Sequence, residues 1–164
     1  MRKLTAFLSA SASAVAVFAL VPAATASAAP SARPMAQVAA RSAIVISGIR
    51  YNSPGPDRGS NASLNAEWVQ LHNRTRRAVS LTGWTLRDTA HHVFTFGTYR
   101  LGAHGFVKIH TGHGRATQRN RYWNHSWYIW NNNGDTASLR NAAGTFKARC
   151  HYSDPSENRS FTSC

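Results

Sequence analysis

From residue 43 onward, apolar and polar side chains alternate with a period of two, and no stretch sustains the spacing of an amphipathic helix. The clearest segment is EWVQLHN, where Glu67, Val69 and Leu71 share one face and Trp68, Gln70 and His72 the other. AIVISGIRYN opens with β-branched residues and stops at SPGPDRGSN, whose prolines and glycines forbid continuation. After the polar connection RTRR, AVSLTGWTL resumes the alternation, and Gly83 is expected to form a bulge that turns Trp84 and Leu86 inward. HVFTF sets Val93 against Phe94 and Phe96, as in a strand that is covered on both faces or lies at a rim. GFVKIHTG gives a core face of Val107 and Ile109. SWYIWNN and DTASLRN predict two strands around the turn NNNGD, in which Asp135 caps its own turn, and GTFKARCHY predicts a last one. Closely spaced strands with polar turns imply an antiparallel sandwich or barrel.

The first 28 residues stand outside this pattern. Arg2 and Lys3 precede an apolar, alanine-rich run, and ATASAA offers small-residue cleavage signals, so a secretory signal peptide over 1–28 is expected. Residues 29–42 form a Pro/Ala/Ser-rich linker, and 43–164 a single domain long enough to close its own core. The expected location is therefore extracellular, with no stable membrane insertion after cleavage.

Charge narrows the partner class. Without Arg2 and Lys3, 17 of the 19 basic residues face six acids, a formal +11. Nucleic acid and anionic cell-wall polymer are natural partners for such a chain, although arginine can also serve solubility alone. In an oxidising exterior, Cys150 and Cys164 are expected to pair and staple the C-terminal tail.

The ordered set IRYNSPGPDRGSNASLNAEWVQLHN, VSLTGWTLRD, HVFTF, LGAHGFVKIHTG and YIWNNNGDTASLRNAAG resembles the lamin tail domain family from about Ile49 to Tyr152. The resemblance implies an all-β, immunoglobulin-like antiparallel β-sandwich of seven to nine strands. It also implies a non-catalytic module of a kind that bacteria often secrete, alone or attached to exported enzymes. The chain departs from the pattern at Gln70, where many members carry a second acid, and in its strongly basic composition.

Candidate chemistry is sparse. Glu67 begins its strand near the loop carrying Asp57, and the expected role is a carboxylate at the sandwich rim accepting backbone N–H groups from that loop. The rival is a calcium site from Asp57, Asn61, Asn65 and Glu67, which lacks regular ligand spacing. His110 and His113 could hold zinc with a third ligand, or act as a base beside Arg115 in phosphodiester cleavage, but no motif supplies the remaining groups. The expectation is therefore no catalytic residues, no metal and no cofactor.

Binding is better supported. GHGRATQRNRYWNHSWYIW places Arg115, Arg119 and Arg121 beside Tyr122, Trp123 and Trp127, and a second cluster, Arg74, Arg76 and Arg77, sits in the turn after EWVQLHN. Phosphates held by charge and rings stacked on aromatic faces would suit Arg74, Arg76, Arg77, Arg115, Arg119, Arg121 and Trp123. In the alternative assignment the tryptophans are core, as expected for Trp130, and the arginines are solubilisers. Two functions follow: a secreted polyanion-binding module, or a structural protein–protein interaction domain of an exported assembly.

Overall fold

The computed structural model describes residues 42–164, so the expected signal peptide and, apart from Ser42, the linker lie outside the described residues. The longest strands are those whose sequences alternate. β1 (Ile44–Arg50) pairs antiparallel with β2 (Trp68–Asn73), and β2 with β7 (Phe106–His110). Their inward positions, Ile44, Ile46, Ile49, Val69, Leu71, Val107 and Ile109, are all buried. A second sheet is built on β4 (Thr85–Arg87), β5 (Val93–Thr95), β9 (Gly134–Arg140) and β10 (Phe146–Ser153), in the order β10-β9-β4-β5. Leu86, Ala137, Leu139, Cys150 and Tyr152 face inward from it. The two layers enclose one hydrophobic cluster and form the expected immunoglobulin-like sandwich. Each fully buried Leu or Ile contributes about 1.5–3 kcal/mol, so this shared core dominates stability.

Of four further short strands, only β3 (Val79–Ser80) falls in a segment that the alternation marks, AVSLTGWTL. β3 and β6 (Arg100–Leu101) make a two-stranded ribbon of their own. β8 (Asn120–Tyr122) joins the first sheet parallel to β7, and β11 (Phe161–Ser163) pairs with the outer edge of β1, which gives the order β11-β1-β2-β7-β8. These pieces bring the strand total among the described residues to eleven, against the seven to nine expected.

Three local expectations are corrected. Gly83 sits in a turn closed by Trp84 N–H donating to Leu81 O at 2.8 Å, not in a bulge. Its φ of +75° suits glycine, and the turn sends β3 and β4 into different sheets. Residues 61–66, expected as loop, form the short helix α1 (Asn61–Ala66), started by the Ser60 side chain accepting from Ser63 N–H and anchored by buried Leu64. Residues 126–132 are not a strand: Ile129 and Trp130 are adjacent in sequence and both buried, which a period-two element does not allow. Val93 is exposed and Phe96 buried on and just after β5, the edge strand, so the rim alternative for HVFTF is the one observed.

Cys150 and Cys164 are disulfide-bonded. The bond ties β10 of one sheet to the residue after β11 of the other, and Cys164 N–H donates to Ser47 O. Loop-closure entropy for a crosslink of this span amounts to about 3 kcal/mol. Replacing both cysteines with serine is therefore expected to lower unfolding stability by about 2–4 kcal/mol, measured as the shift in urea midpoint between the two proteins.

Candidate polyanion interface

The turn that follows β2 is organised by one side chain. Asn73 is fully buried; its Oδ1 accepts from Thr75 N–H at 3.0 Å and Thr75 Oγ1 at 2.8 Å, and its Nδ2 donates to Arg77 O at 2.7 Å. The same amide donates to Leu101 O and Gly102 O, and His104 N–H donates to Thr75 O at 3.1 Å, so the 74–77 turn is latched to the turn before β7. Arg74, Arg76 and Arg77 are exposed on this support. A groove of about 560 Å³ lined by residues 101–106 leads from that second turn to Gln118 and exposed Arg119. Of the second arginine cluster, only Arg119 borders this groove, whose other wall is the turn that the 74–77 turn is latched to.

The other candidates are placed elsewhere. Arg121 is half-buried with its guanidinium 4.1 Å above the Tyr99 ring, and Tyr99 OH donates to Gln118 O. Trp123 is half-buried against the core, tilted on Phe94 at 5.8 Å and edge-on to Trp130 at 6.0 Å. Arg115 is exposed in the loop before β8. Trp130 is core, as expected, while Trp127 is 57% exposed and lies over Gly59.

What makes the surface so basic is the placement of the acids. Of the six, Glu67, Asp88, Asp135 and Asp154 are buried. Asp88 takes the backbone N–H and ring of His92, and Asp154 takes Tyr51 OH, Ser156 Oγ and Arg159 N–H. Asp135 caps its own turn through Thr136 N–H and Asn131 Nδ2, and also accepts from Thr89 N–H and Oγ1 of a neighbouring loop. Only Asp57 and Glu157 are exposed, and among the described residues the ion pairs are His92 with Asp88 and Arg159 with Asp154. The arginines of the 74–77 turn therefore have no carboxylate partner in the described domain.

Glu67 corrects the rim expectation. It is fully enclosed, and its oxygens accept from Ile129 N–H at 3.1 Å and Trp130 N–H at 2.5 Å, not from the Asp57 loop. The four calcium candidates do not converge on one point: Asp57 accepts from Asn132 Nδ2, Glu67 from Ile129 and Trp130, while Asn61 and Asn65 both bind the backbone of His113. His110 has both ring nitrogens within hydrogen-bond distance of protein oxygens, Asn65 O and Asn120 Oδ1, and His113 is exposed. Among the described residues no three His, Cys, Asp or Glu gather as a metal set, and no helix is long and apolar enough to cross a membrane.

The family model described as Lamin Tail Domain matches residues 37–154, and the chain belongs to that family, one of non-catalytic immunoglobulin-like domains. No curated protein matches the chain.

Burial pushes the Glu67 carboxyl up to about 8, against the two backbone N–H bonds, which lower it; nearby Asp57 adds to the rise. Since the folded carboxyl keeps its proton to higher pH than the unfolded one, its contribution to stability is complete below the ordinary value of 4.5 and is lost as pH rises through about 8. Glu67→Gln is expected to flatten that part of the stability–pH curve. Glu67→Ala, which orphans two buried N–H groups, should cost about 2–4 kcal/mol at any pH; denaturant titrations across the range check both.

Proposed function

We propose that this lamin tail domain is a non-catalytic binding module that works outside the cell and attaches to polyanions, either nucleic acid or anionic envelope polymer. The observation that carries the reading is the latch between the 74–77 turn and the turn before β7. It holds Arg74, Arg76 and Arg77 in a fixed, exposed array that continues to Arg119 by way of the adjoining groove. Guanidinium groups held by a rigid backbone give up less conformational freedom on meeting phosphate than groups on a floppy loop. The acids that could neutralise them are mostly inside, so the array faces solvent with its full charge. The chemistry is phosphate attachment without base readout, since α1, the one helix among the described residues, is only 6 residues long and too short to read a major groove.

The apparent affinity for duplex DNA or purified wall polymer is expected to fall steeply with salt. Replacing Arg74, Arg76 and Arg77 with alanine should make the slope of log K against log salt shallower by about one for each phosphate that the variant no longer neutralises. Asn73→Ala keeps every charge but removes the latch, and should weaken binding with little change of slope. Absence of binding at low salt would remove the reading, and salt-insensitive capture of a protein would put the interaction-domain alternative in its place.

A further inference from the structure

The outer face of the five-stranded sheet carries side chains that the arginine array does not use. Strand register sets Phe161, Arg50 and Trp68 side by side across β11, β1 and β2, and sets His72 opposite Phe106 across β2 and β7. Between them runs a row through Gly48, Gln70 and Lys108. The flanking residues Ile49, Val69, Leu71, Val107 and Ile109 are completely buried, so this set points away from the core. Phe106 and Phe161 are 47% and 44% exposed.

The rings are arranged with cations among them. Phe161 lies against the sheet over Gly48, where a Cβ would come within 2.7 Å of the ring, so glycine makes the space. Trp68 is tilted to Phe161 at 5.7 Å and has Lys108 Nζ 3.9 Å above its own ring. His72 stacks on Phe106 at 4.1 Å and 9°. Arg50 Nε is buried without a protein partner, a donor left unused. A groove of about 420 Å³ bordered by Phe106, Lys108 and Arg119 lies on this face and shares Phe106 and Arg119 with the groove beside the arginine turn.

We infer that this sheet face is a stacking platform for single-stranded nucleic acid. The inference rests on the polyanion reading and sharpens it. Phe161 and Phe106 stand on strands three positions apart, about 14 Å across the sheet, and the register sets Phe161 level with His110, about 13 Å along β7 from Phe106, so roughly 19 Å separates the two positions, a distance that an extended strand of a few nucleotides covers. Bases stack on the exposed rings while phosphates meet Arg50, Lys108 and Arg119. A duplex keeps its base faces paired and stacked, and a polyol-phosphate wall polymer has no planar rings. Both can engage the arginine turn, but neither can use the platform.

The test is fluorescence anisotropy at low salt with a labelled oligothymidine, its duplex, and an abasic chain of equal length. Oligothymidine should bind at least ~10-fold more tightly than the abasic chain. Phe161→Ala should weaken oligothymidine binding about 5- to 10-fold while leaving abasic binding unchanged, Phe106→Ala should weaken oligothymidine binding by more than it weakens abasic binding, and Phe106→Tyr should retain wild-type affinity. The unchanged abasic affinity also reports that the Phe161→Ala variant is folded. Equal affinity for oligothymidine and the abasic chain, or alanine variants that hold oligothymidine as tightly as wild type, would overturn the platform and leave the polyanion reading standing. No binding to any of the three would remove both.

Discussion

Glu67 and the backbone of Ile129 and Trp130 form the contact on which the architecture turns. The crossover from β8 to β9 carries two of the largest apolar groups in its stretch into the core, and a chain that does so without forming a strand has no ladder to satisfy its N–H groups. The Glu67 carboxyl group supplies both acceptors from the first residue before β2. Burying it is unfavourable in itself, as its raised pKa records, and the bonds recover only part of that. What the arrangement secures is placement: Trp130 enters the core and supports Trp123, and Trp123 in turn meets Phe94 on the edge strand β5.

The remaining buried acids act by the same logic. Asp135 and Asp154 each gather donors from turns and loops that no strand pairs, and Tyr51 and Tyr152, stacked at 4.0 Å, bind Asp154 and Asn131 O with their hydroxyls. An immunoglobulin-like sandwich has long connections at its ends, and here polar groups inside those connections are satisfied by carboxylates more than by further secondary structure. The consequence reaches the surface. Every acid drawn inward to hold a loop is one fewer to balance an arginine outside.

The alternation of EWVQLHN and GFVKIH makes the central strands and their inward residues legible, because half-buried antiparallel strands write their burial directly into sequence. The same segments also display the outer aromatic face, in Trp68, His72 and Phe106, a signal easily passed over when attention rests on the inward set. SWYIWNN misleads because its β-branched and aromatic content suits a strand, while the partner that decides its conformation lies more than sixty residues earlier. β8 and β11 are hidden for a related reason: NRY and FTS have little apolar pattern, and their pairing with β7 and β1 is a tertiary choice. Of the candidate arginines, the 74–77 cluster is readable as an exposed turn. The attachment of Arg121 to Tyr99, and the latch that ties the 74–77 turn to the turn before β7, are not, since both depend on neighbours distant in the chain.

A sheet that alternates cannot choose its two faces independently. Fixing Val69, Leu71, Val107 and Ile109 inward fixes Trp68, Gln70, His72, Phe106 and Lys108 outward in the same register, with no residue to spare for adjustment. A purely structural outer face would be met by small polar or charged residues at those positions, which keep a sheet soluble at little cost. This sheet instead devotes outward positions to large rings, places a glycine where one of them needs room, and sets lysine over another. The exposed rings do nothing for the core on the opposite side, so their value to the molecule has to be sought in what meets them from solvent.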